Sequence, residues 1–358
     1  MAPSSVVSGN DELHSHLIAI SFEKFRAMPL PSTMNAISIE SPGMEARLVL
    51  KPRAMPKPGA GQVLIKVHAA GLNRGDLLQS MGLYPPPKGT TDVPGLEAAG
   101  EIAVIGAGVT MWKPGDKVAA LMAGGGYAEY ALADEGSCLP VPSNISMVEA
   151  AALPEAFFTV WTNIIDRAQL KRGETLMIHG GASGIGTTAI QIFRDYAGAI
   201  FATAGGPEKT ALCVSLGATR AIDYRTEDFA AIVKAETAGR GVDVILDMVG
   251  GDYVTKNIAS LAVEGRLVNI AYQNGSKVEL DLMQVMLRRL TITASTLRIR
   301  TAAQKAAIAE GIKDWAWGLV EDGRFKPVID KAYPLAEAGA AQAHMAKGTH
   351  AGKIILTV

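Results

Sequence analysis

The stretch Glu174–Phe193, ETLMIHGGASGIGTTAIQIF, decides the fold. TLMIH is an apolar run of strand length, IGTTAIQIF opens a helix, and glycines fill the turn between them. Two glycine patterns share the turn. Gly184-Ile185-Gly186-Thr187-Thr188-Ala189 spells Gly-x-Gly-x-x-Ala, while Gly180 to Gly186 spell Gly-x-x-x-Gly-x-Gly. Either brings bare backbone N–H groups to a helix start, where an anion is well held. The two patterns belong to different chain plans, so the neighbouring sequence has to choose.

Downstream the rhythm is strand, helix, strand. AIFATAG reads as a strand, PEKTALCVSLG as a helix, RAIDY as a strand, TEDFAAIVKAETAG as a helix and VDVILDMVG as a buried strand. Another helix, GRLVNIAY and the late strand LTITAS (290–295) follow. This alternation implies an α/β fold with a doubly wound parallel sheet of the Rossmann kind. Upstream, from Met34 to about Ala152, the texture is β. GQVLIKVHAAGLN alternates with Val63, Ile65 and Val67 on one face, and GEIAVIGAGV, GDKVAALM and GYAEYALA repeat the idea between turns. That is a small barrel-like domain. The tail from Thr301, with AAQKAAIAEGIKDWAWGLVEDG helical and AGKIILTV a strand, carries no further βα alternation and is expected to return to the first domain. The expected division is 1–33 as a disordered extension, 34–157 with 301–358 as one domain, and 158–300 as the other.

Bulk properties remove whole classes. A chain of 358 residues, 48% hydrophobic, is long enough for two packed cores. A formal charge of −1 with no Lys/Arg-rich run argues against nucleic acid, and no apolar stretch approaches membrane-spanning length. Two cysteines, Cys138 and Cys213, are too few for a disulfide framework or a thiolate zinc knot, which points to a reducing, cytoplasmic home. The first 33 residues lack the basic start and long apolar run of a secretory signal, and Asp11, Glu12 and Glu23 spoil a transit peptide. His14 and His16 are read as inert in a floppy tail. A start of translation at Met34, where MNAISI is a strand, stays open beside Met1.

With a strand before it, a helix after it and a βαβ unit around it, the Gly184–Ala189 turn reads as the pyrophosphate turn of a dinucleotide site. The end of the next strand reports which dinucleotide. An NAD site places a carboxylate about 20 residues beyond the glycines. Here the strand ends Thr203-Ala204-Gly205-Gly206. Lys209 follows within a turn and Tyr224 closes the third strand, so both can meet a 2′-phosphate, and the expected coenzyme is NADPH. Glu208 dissents but can point to solvent, and Lys209 can equally be a solvated helix-start lysine.

The Gly-x-x-x-Gly-x-Gly plan of short-chain dehydrogenases needs its turn near the N-terminus and a helical Tyr-x-x-x-Lys downstream. The pair present, Tyr84-Pro85-Pro86-Pro87-Lys88, lies upstream, and three prolines form no helix. That plan fails. The segments AAGLNRGDLLQSMGLYPPP, PGLEAAGEI, KPGDKVAAL, AALPEAFFTVW, IHGGASGIGTTAIQ and HAGKIILTV together resemble the zinc-independent, zeta-crystallin-like quinone oxidoreductases of the medium-chain dehydrogenase/reductase superfamily, over nearly all of 34–358.

The resemblance implies a GroES-like barrel beside the Rossmann domain. It also implies hydride transfer from NADPH to a quinone or activated enone, and a homodimer that pairs the LTITAS edges. Where zinc-dependent members use a Cys and the His of Gly-His-Glu, this chain has Asn73 and Leu96, and neither supplies the nitrogen or sulfur donor that zinc prefers. No metal is expected. Family roles carried onto matching positions put Asn73 and Thr159 near the nicotinamide, Ser183, Gly184 and Ile185 at the pyrophosphate, Ile270, Ala271, Thr296 and Leu297 along the nicotinamide pocket, and Lys353 over the coenzyme, while Gly205, at the carboxylate-free end of the second strand, is counted among the coenzyme-binding residues. Tyr84 is either a polariser of the substrate carbonyl or an aromatic lid on its prolines. Thr159 can also be a packing residue and Lys353 a surface lysine. Arg298 and Arg300 are read as anion binders or as solvated cations at the domain junction, and His179 as a core histidine. Two rivals remain: an enoyl-thioester reductase, and a low-turnover NADPH-binding structural protein.

Overall fold

A computed structural model describes residues 30–358, so the expected N-terminal extension, His14 and His16 lie outside the described residues except for its last four positions. Strand β1 (Thr33–Glu40) opens the described chain and forms an antiparallel hairpin with β2 (Arg47–Ala54). Five more strands follow: β3 (Gln62–Gly71), β4 (Glu97–Ile105), β5 (Lys117–Leu121), β6 (Tyr130–Asp134) and β7 (Cys138–Pro140). The short helix α1 (Arg74–Ser80) lies between β3 and β4. Inward residues Val63, Ile65, Val67, Ala98, Ile102 and Val118 pack into one core, and the alternation read from the sequence is that core's signature.

Two short helices, α2 (Met147–Ala150) and α3 (Pro154–Val160), lead into the parallel sheet, α3 continuing as a π-helical turn over Trp161–Arg167. Then come β8 (Thr175–His179), α4 (Gly184–Phe193), β9 (Ala199–Ala204), α5 (Pro207–Leu216) and β10 (Arg220–Asp223). The second half runs α6 (Phe229–Glu236), β11 (Val242–Asp247), α7 (Tyr253–Ser260), β12 (Leu261–Asn269), α8 (Leu282–Arg288) and β13 (Thr291–Ala294). The strand order is β10-β9-β8-β11-β12-β13, all parallel. The chain winds outward one way from β8 and the other way from β11. Their carboxyl ends therefore flank the switch point where open α/β sheets bind ligands.

Several boundaries differ from the sequence reading for local reasons. Helix α6 begins at Phe229, not Thr226, because the Asp228 carboxylate accepts the Ala230 N–H and caps it there. The long C-terminal helix is broken at Ala316 into α9 (Ala302–Trp315) and α10 (Trp317–Glu321). The tail does contain a further βα unit, contrary to expectation. Strand β14 (Ile329–Pro334) runs parallel to β15 (Lys353–Thr357), with α11 (Ala338–Ala346) as the crossover. Strand β14, IDKAYP, is half exposed and has no buried residue, so it gives no apolar signal. β15 then pairs antiparallel with β3, completing the order β14-β15-β3-β4-β5-β7, with β6 also on β3.

The two sheets share packing. Leu121 and Leu139 of the barrel join Phe157, Ile178 and Phe193 in the largest core cluster. Phe157 meets Trp317 at 5.5 Å and Phe325 at 4.8 Å between ring centroids, both edge-on, which locks α3 against the returning tail. A buried aromatic of this kind contributes about 1.5–3 kcal/mol from burial alone.

Candidate active site

The glycine turn sits at the switch point. Ser183 caps α4, its hydroxyl accepting the Gly186 N–H at 3.0 Å. Among the described residues the N–H groups of Gly184 and Ile185 have no protein acceptor, as the first turn of a helix requires. A Cβ at Gly186 would stand 2.3 Å from the Gly180 carbonyl oxygen, and one at Gly184 would meet the Lys353 side chain at 2.4 Å. The turn is thus tight within the protein and still presents free donors outward. Such a turn fits the pyrophosphate of a dinucleotide.

Behind the turn lies a buried polar chain. His179 accepts or donates at Thr203 (3.0 Å) and Asn257 (2.7 Å), and Asn257 and Asn269 both donate to the Asp247 carboxylate. Burial pushes the imidazole down, so His179 stays neutral and structural, as read from the sequence. On the other flank Gly352 donates to the Ala182 carbonyl at 2.7 Å, which docks the start of β15 on the turn.

The barrel side supplies the polar centre. Asn73, the N-cap of α1, donates through Nδ2 to Glu97 (2.8 Å) and accepts from the Lys353 ammonium through Oδ1 (2.7 Å). Lys353 also donates to the Leu72 carbonyl and pairs directly with Glu97, which is fully buried. The second Glu97 oxygen accepts the Glu155 N–H at 2.8 Å. Lys353 is therefore not a surface residue: only 6% exposed, it runs past Gly184 into this cluster. Leu96 is buried against Gly75 and offers no donor atom.

Asp76, one turn into α1, accepts from Asn73 N, Gly95 N and the Tyr127 hydroxyl. Burial raises its carboxyl to about 6 despite those donors. Tyr84 covers Gly75, and the Arg298 guanidinium lies 5.1 Å from its ring centroid. Arg298 donates to Ala123 O, Tyr84 O and Gln79 Oε1 at 2.6–3.2 Å. It is neither a solvated cation nor a free anion binder but a buried clamp between the cleft wall and the loop after β13. Arg300 donates to the Thr162 hydroxyl at 2.6 Å and to the Thr296 carbonyl at 3.3 Å. The Tyr84 hydroxyl has no hydrogen-bond partner among the described residues, and burial with the neighbouring Glu155 holds its pKa up.

The remaining expected residues fall on the same rim. Ile270 and Ala271 follow β12, and Thr296 and Leu297 follow β13, at the carboxyl ends of the sheet. Thr159 is buried on α3, its carbonyl accepting from Asn163. At the far end Gly205 touches the Tyr224 hydroxyl, Lys209 donates to Gly348 O (2.8 Å), and Glu208 is exposed. Three residues escaped the sequence reading. Arg225 reaches back over Gly205 and Gly206, adding a second cation beside Lys209. Glu97 was visible only as the companion of Leu96. Glu155 looked like an ordinary acidic residue in the first turn of a helix.

A model described as an alcohol dehydrogenase GroES-like domain matches residues 59–143, and one described as a zinc-binding dehydrogenase matches 216–356. The human quinone oxidoreductase is 30% identical over 90% of this chain and 97% of its own length. The chain belongs to the medium-chain dehydrogenase/reductase family. It is of the quinone oxidoreductase-like kind, with a Rossmann sheet and a GroES-like barrel. Phthioceranic/hydroxyphthioceranic acid synthase of Mycobacterium tuberculosis is also 30% identical over 90% of this chain, but the chain spans only 15% of that synthase. The crystal structure of the CurK enoyl reductase superposes with a TM-score of 0.78 at 29% identity, covering 91% of this chain and 98% of its own. Family members with this Rossmann sheet bind a nicotinamide coenzyme, and the turn at Gly184 has the geometry for one.

Proposed function

We propose that this chain reduces quinones and activated enones with NADPH, without zinc. The observation that carries the reading is the Asn73–Lys353–Glu97 cluster. Where a zinc enzyme of this family would need soft donors around a Lewis acid, an amide, a buried leucine and a lysine ammonium stand, and Glu97 is already ion-paired with that ammonium. Among the described residues no three His, Cys, Asp or Glu side chains gather as a metal site. Acceptors that are already electron-poor demand less activation than an alcohol.

Bound NADPH supplies hydride from C4 of its nicotinamide. The chain's residues do the rest. Ser183, Gly184 and Ile185 hold the pyrophosphate at the start of α4. Gly205, Lys209 and Tyr224, with Arg225, receive the 2′-phosphate, and no carboxylate at the end of β9 competes for the ribose. Asn73, with both amide atoms fixed, and Thr159 orient the nicotinamide, while Ile270, Ala271, Thr296 and Leu297 keep its pocket dry. Lys353 acts here by fixing Asn73 rather than by closing over the coenzyme. The Tyr84 hydroxyl, protonated and without a protein partner, donates to the acceptor's carbonyl.

In the same reading residues 34–157 and 301–358 form the catalytic unit and 158–300 the coenzyme unit, a division supported by β15 pairing with β3. The chain works as a cytoplasmic homodimer. Two unpaired cysteines suit a reducing compartment, and among the described residues no helix is long and apolar enough to cross a membrane. A second reading, enoyl-thioester reduction, is favoured by the likeness to the CurK enoyl reductase.

Steady-state oxidation of NADPH and NADH against an ortho-quinone, a para-quinone and an enoyl-CoA tests the proposal. Turnover of either quinone with NADPH preferred supports it. Turnover of the thioester alone selects the second reading, and tight NADPH binding with no turnover makes the chain a coenzyme-binding protein. Stoichiometric zinc that raises activity would sink the metal-free mechanism.

A further inference from the structure

Hydride addition to a quinone or enone leaves an oxyanion or enolate; Tyr84, its pKa raised, is assigned above a hydrogen bond to the carbonyl, and no group has yet been assigned the proton that completes the reaction. We propose that Glu155, as a neutral carboxylic acid, donates that proton. The inference rests on the reductase reading above.

The geometry singles this residue out. Glu155 is the second residue of α3, one turn before Thr159, and its backbone is fixed by the 2.8 Å bond from its N–H to Glu97. Its side chain is half-buried, and among the described residues its carboxyl has no hydrogen bond and no ion pair. Every other carboxylate of the cluster is committed: Glu97 to Lys353, Asn73 and Glu155 N, Asp76 to Asn73 N, Gly95 N and Tyr127. A partly exposed, unspent carboxyl whose charge reaches Tyr84, the residue proposed above to bind the acceptor's carbonyl, is available to the substrate.

The surroundings keep it protonated. Desolvation is the largest influence, followed by the negative charge of Glu97; Lys353 opposes them, Asp76 adds to them, and Lys305 opposes them. The charge of Glu155 in turn acts on Tyr84, raising its pKa, and on Arg298. The net effect raises Glu155 to about 8, so the neutral acid dominates at neutral pH. The fixed cations do not cancel the effect, because Lys353 already pairs with Glu97, and Lys305, itself buried, donates to the Arg298 carbonyl.

The step balances. Two electrons and one proton move as hydride to the acceptor, the O–H of Glu155 breaks as the proton passes to the oxygen or α-carbon of the reduced acceptor, and the Glu155 carboxylate regains a proton from solvent. The sum is NADPH, a proton and quinone going to NADP⁺ and hydroquinone.

Glu155→Gln and Glu155→Asp test this. In the wild type, kcat for quinone or enone should fall as pH rises through about 8. Glu155→Gln should lose about 10²–10⁴-fold in kcat with NADPH affinity intact, and its profile should be flat across that range. Glu155→Asp, which keeps the acid, should recover part of the rate. A readout without turnover accompanies them: infrared difference spectra of the free protein between about pH 7 and about pH 10, above the Asp76 transition at about 6, should show a neutral-carboxyl band that Glu155→Gln removes. A falling limb or band that survives in Glu155→Gln overturns this inference alone. A wild type that binds NADPH and reduces neither acceptor overturns the reductase reading and this inference with it.

Discussion

Lys353 shows how a single residue changes meaning between sequence and structure. Before the last strand it looks like a solvated lysine. In the fold its stem lies across Gly184 and its ammonium pairs with Glu97 while holding Asn73. Removing one partner of a buried pair strands the other charge, so Lys353→Met should cost about 3–5 kcal/mol in chemical denaturation. Lys353→Met with Glu97→Gln should recover much of that loss, because no buried charge remains. A double variant no more stable than the single one would deny the ion pair this role. Glu155 gives a second residue-scale prediction, with an unusual sign. Its folded pKa of about 8 lies above the ordinary value of 4.5. Between those values the folded chain holds a proton that the unfolded chain lacks, so stability must fall as pH rises through that window. Above about 8 the penalty is fully present. Glu155→Gln should therefore be close to neutral for stability near pH 5 and stabilising near pH 9, read from urea midpoints at both.

At the scale of elements, the coenzyme-facing strands and their turns were plain in the sequence because their apolar runs are buried on both faces and end at glycines. β8 and β9 fall within a residue of the runs that announced them, and β11 starts where its run starts but ends three residues before its glycine. β14 was invisible because an edge strand without a buried residue has no periodicity to read. The same limit governs the site. Asn73 and Lys209 could be placed from local motifs, whereas Glu97, Glu155 and Arg225 acquire a role only once β4, α3 and the end of β10 meet across the cleft. Arg225 matters for the loop after β9. Both it and Lys209 project at Gly205–Lys209, so each should add a charge-assisted bond to a 2′-phosphate, about 1.5–3 kcal/mol. Lys209→Ala and Arg225→Ala should each weaken NADPH by about 10–100-fold and leave NADH nearly unchanged, measured by fluorescence titration. Unchanged selectivity in both variants would remove the phosphate site from this loop.

At the scale of the whole molecule, the β13 edge of the parallel sheet stands exposed among the described residues. β13 ends the parallel sheet, with Thr291, Ile292 and Ala294 exposed, and α8 beside it buries no residue while exposing Leu282, Met283, Met286 and Leu287. An unpaired edge next to an apolar helix invites association with another chain. A second copy can cover both at once under two-fold symmetry, since an antiparallel meeting of two β13 edges places each α8 against the other subunit's sheet end. The cleft faces the other way in the sequence of strands, toward β8 and β11, so pairing leaves the glycine turn accessible. Sedimentation should accordingly find a dimer. Ile292→Lys together with Leu287→Asp should yield monomers, because the charges would be buried against an apolar partner surface. These monomers should keep their NADPH affinity, since no residue of the turn belongs to that edge. If the variant still sediments as the wild type does, the copies meet elsewhere and the exposed face of α8 has another occupant.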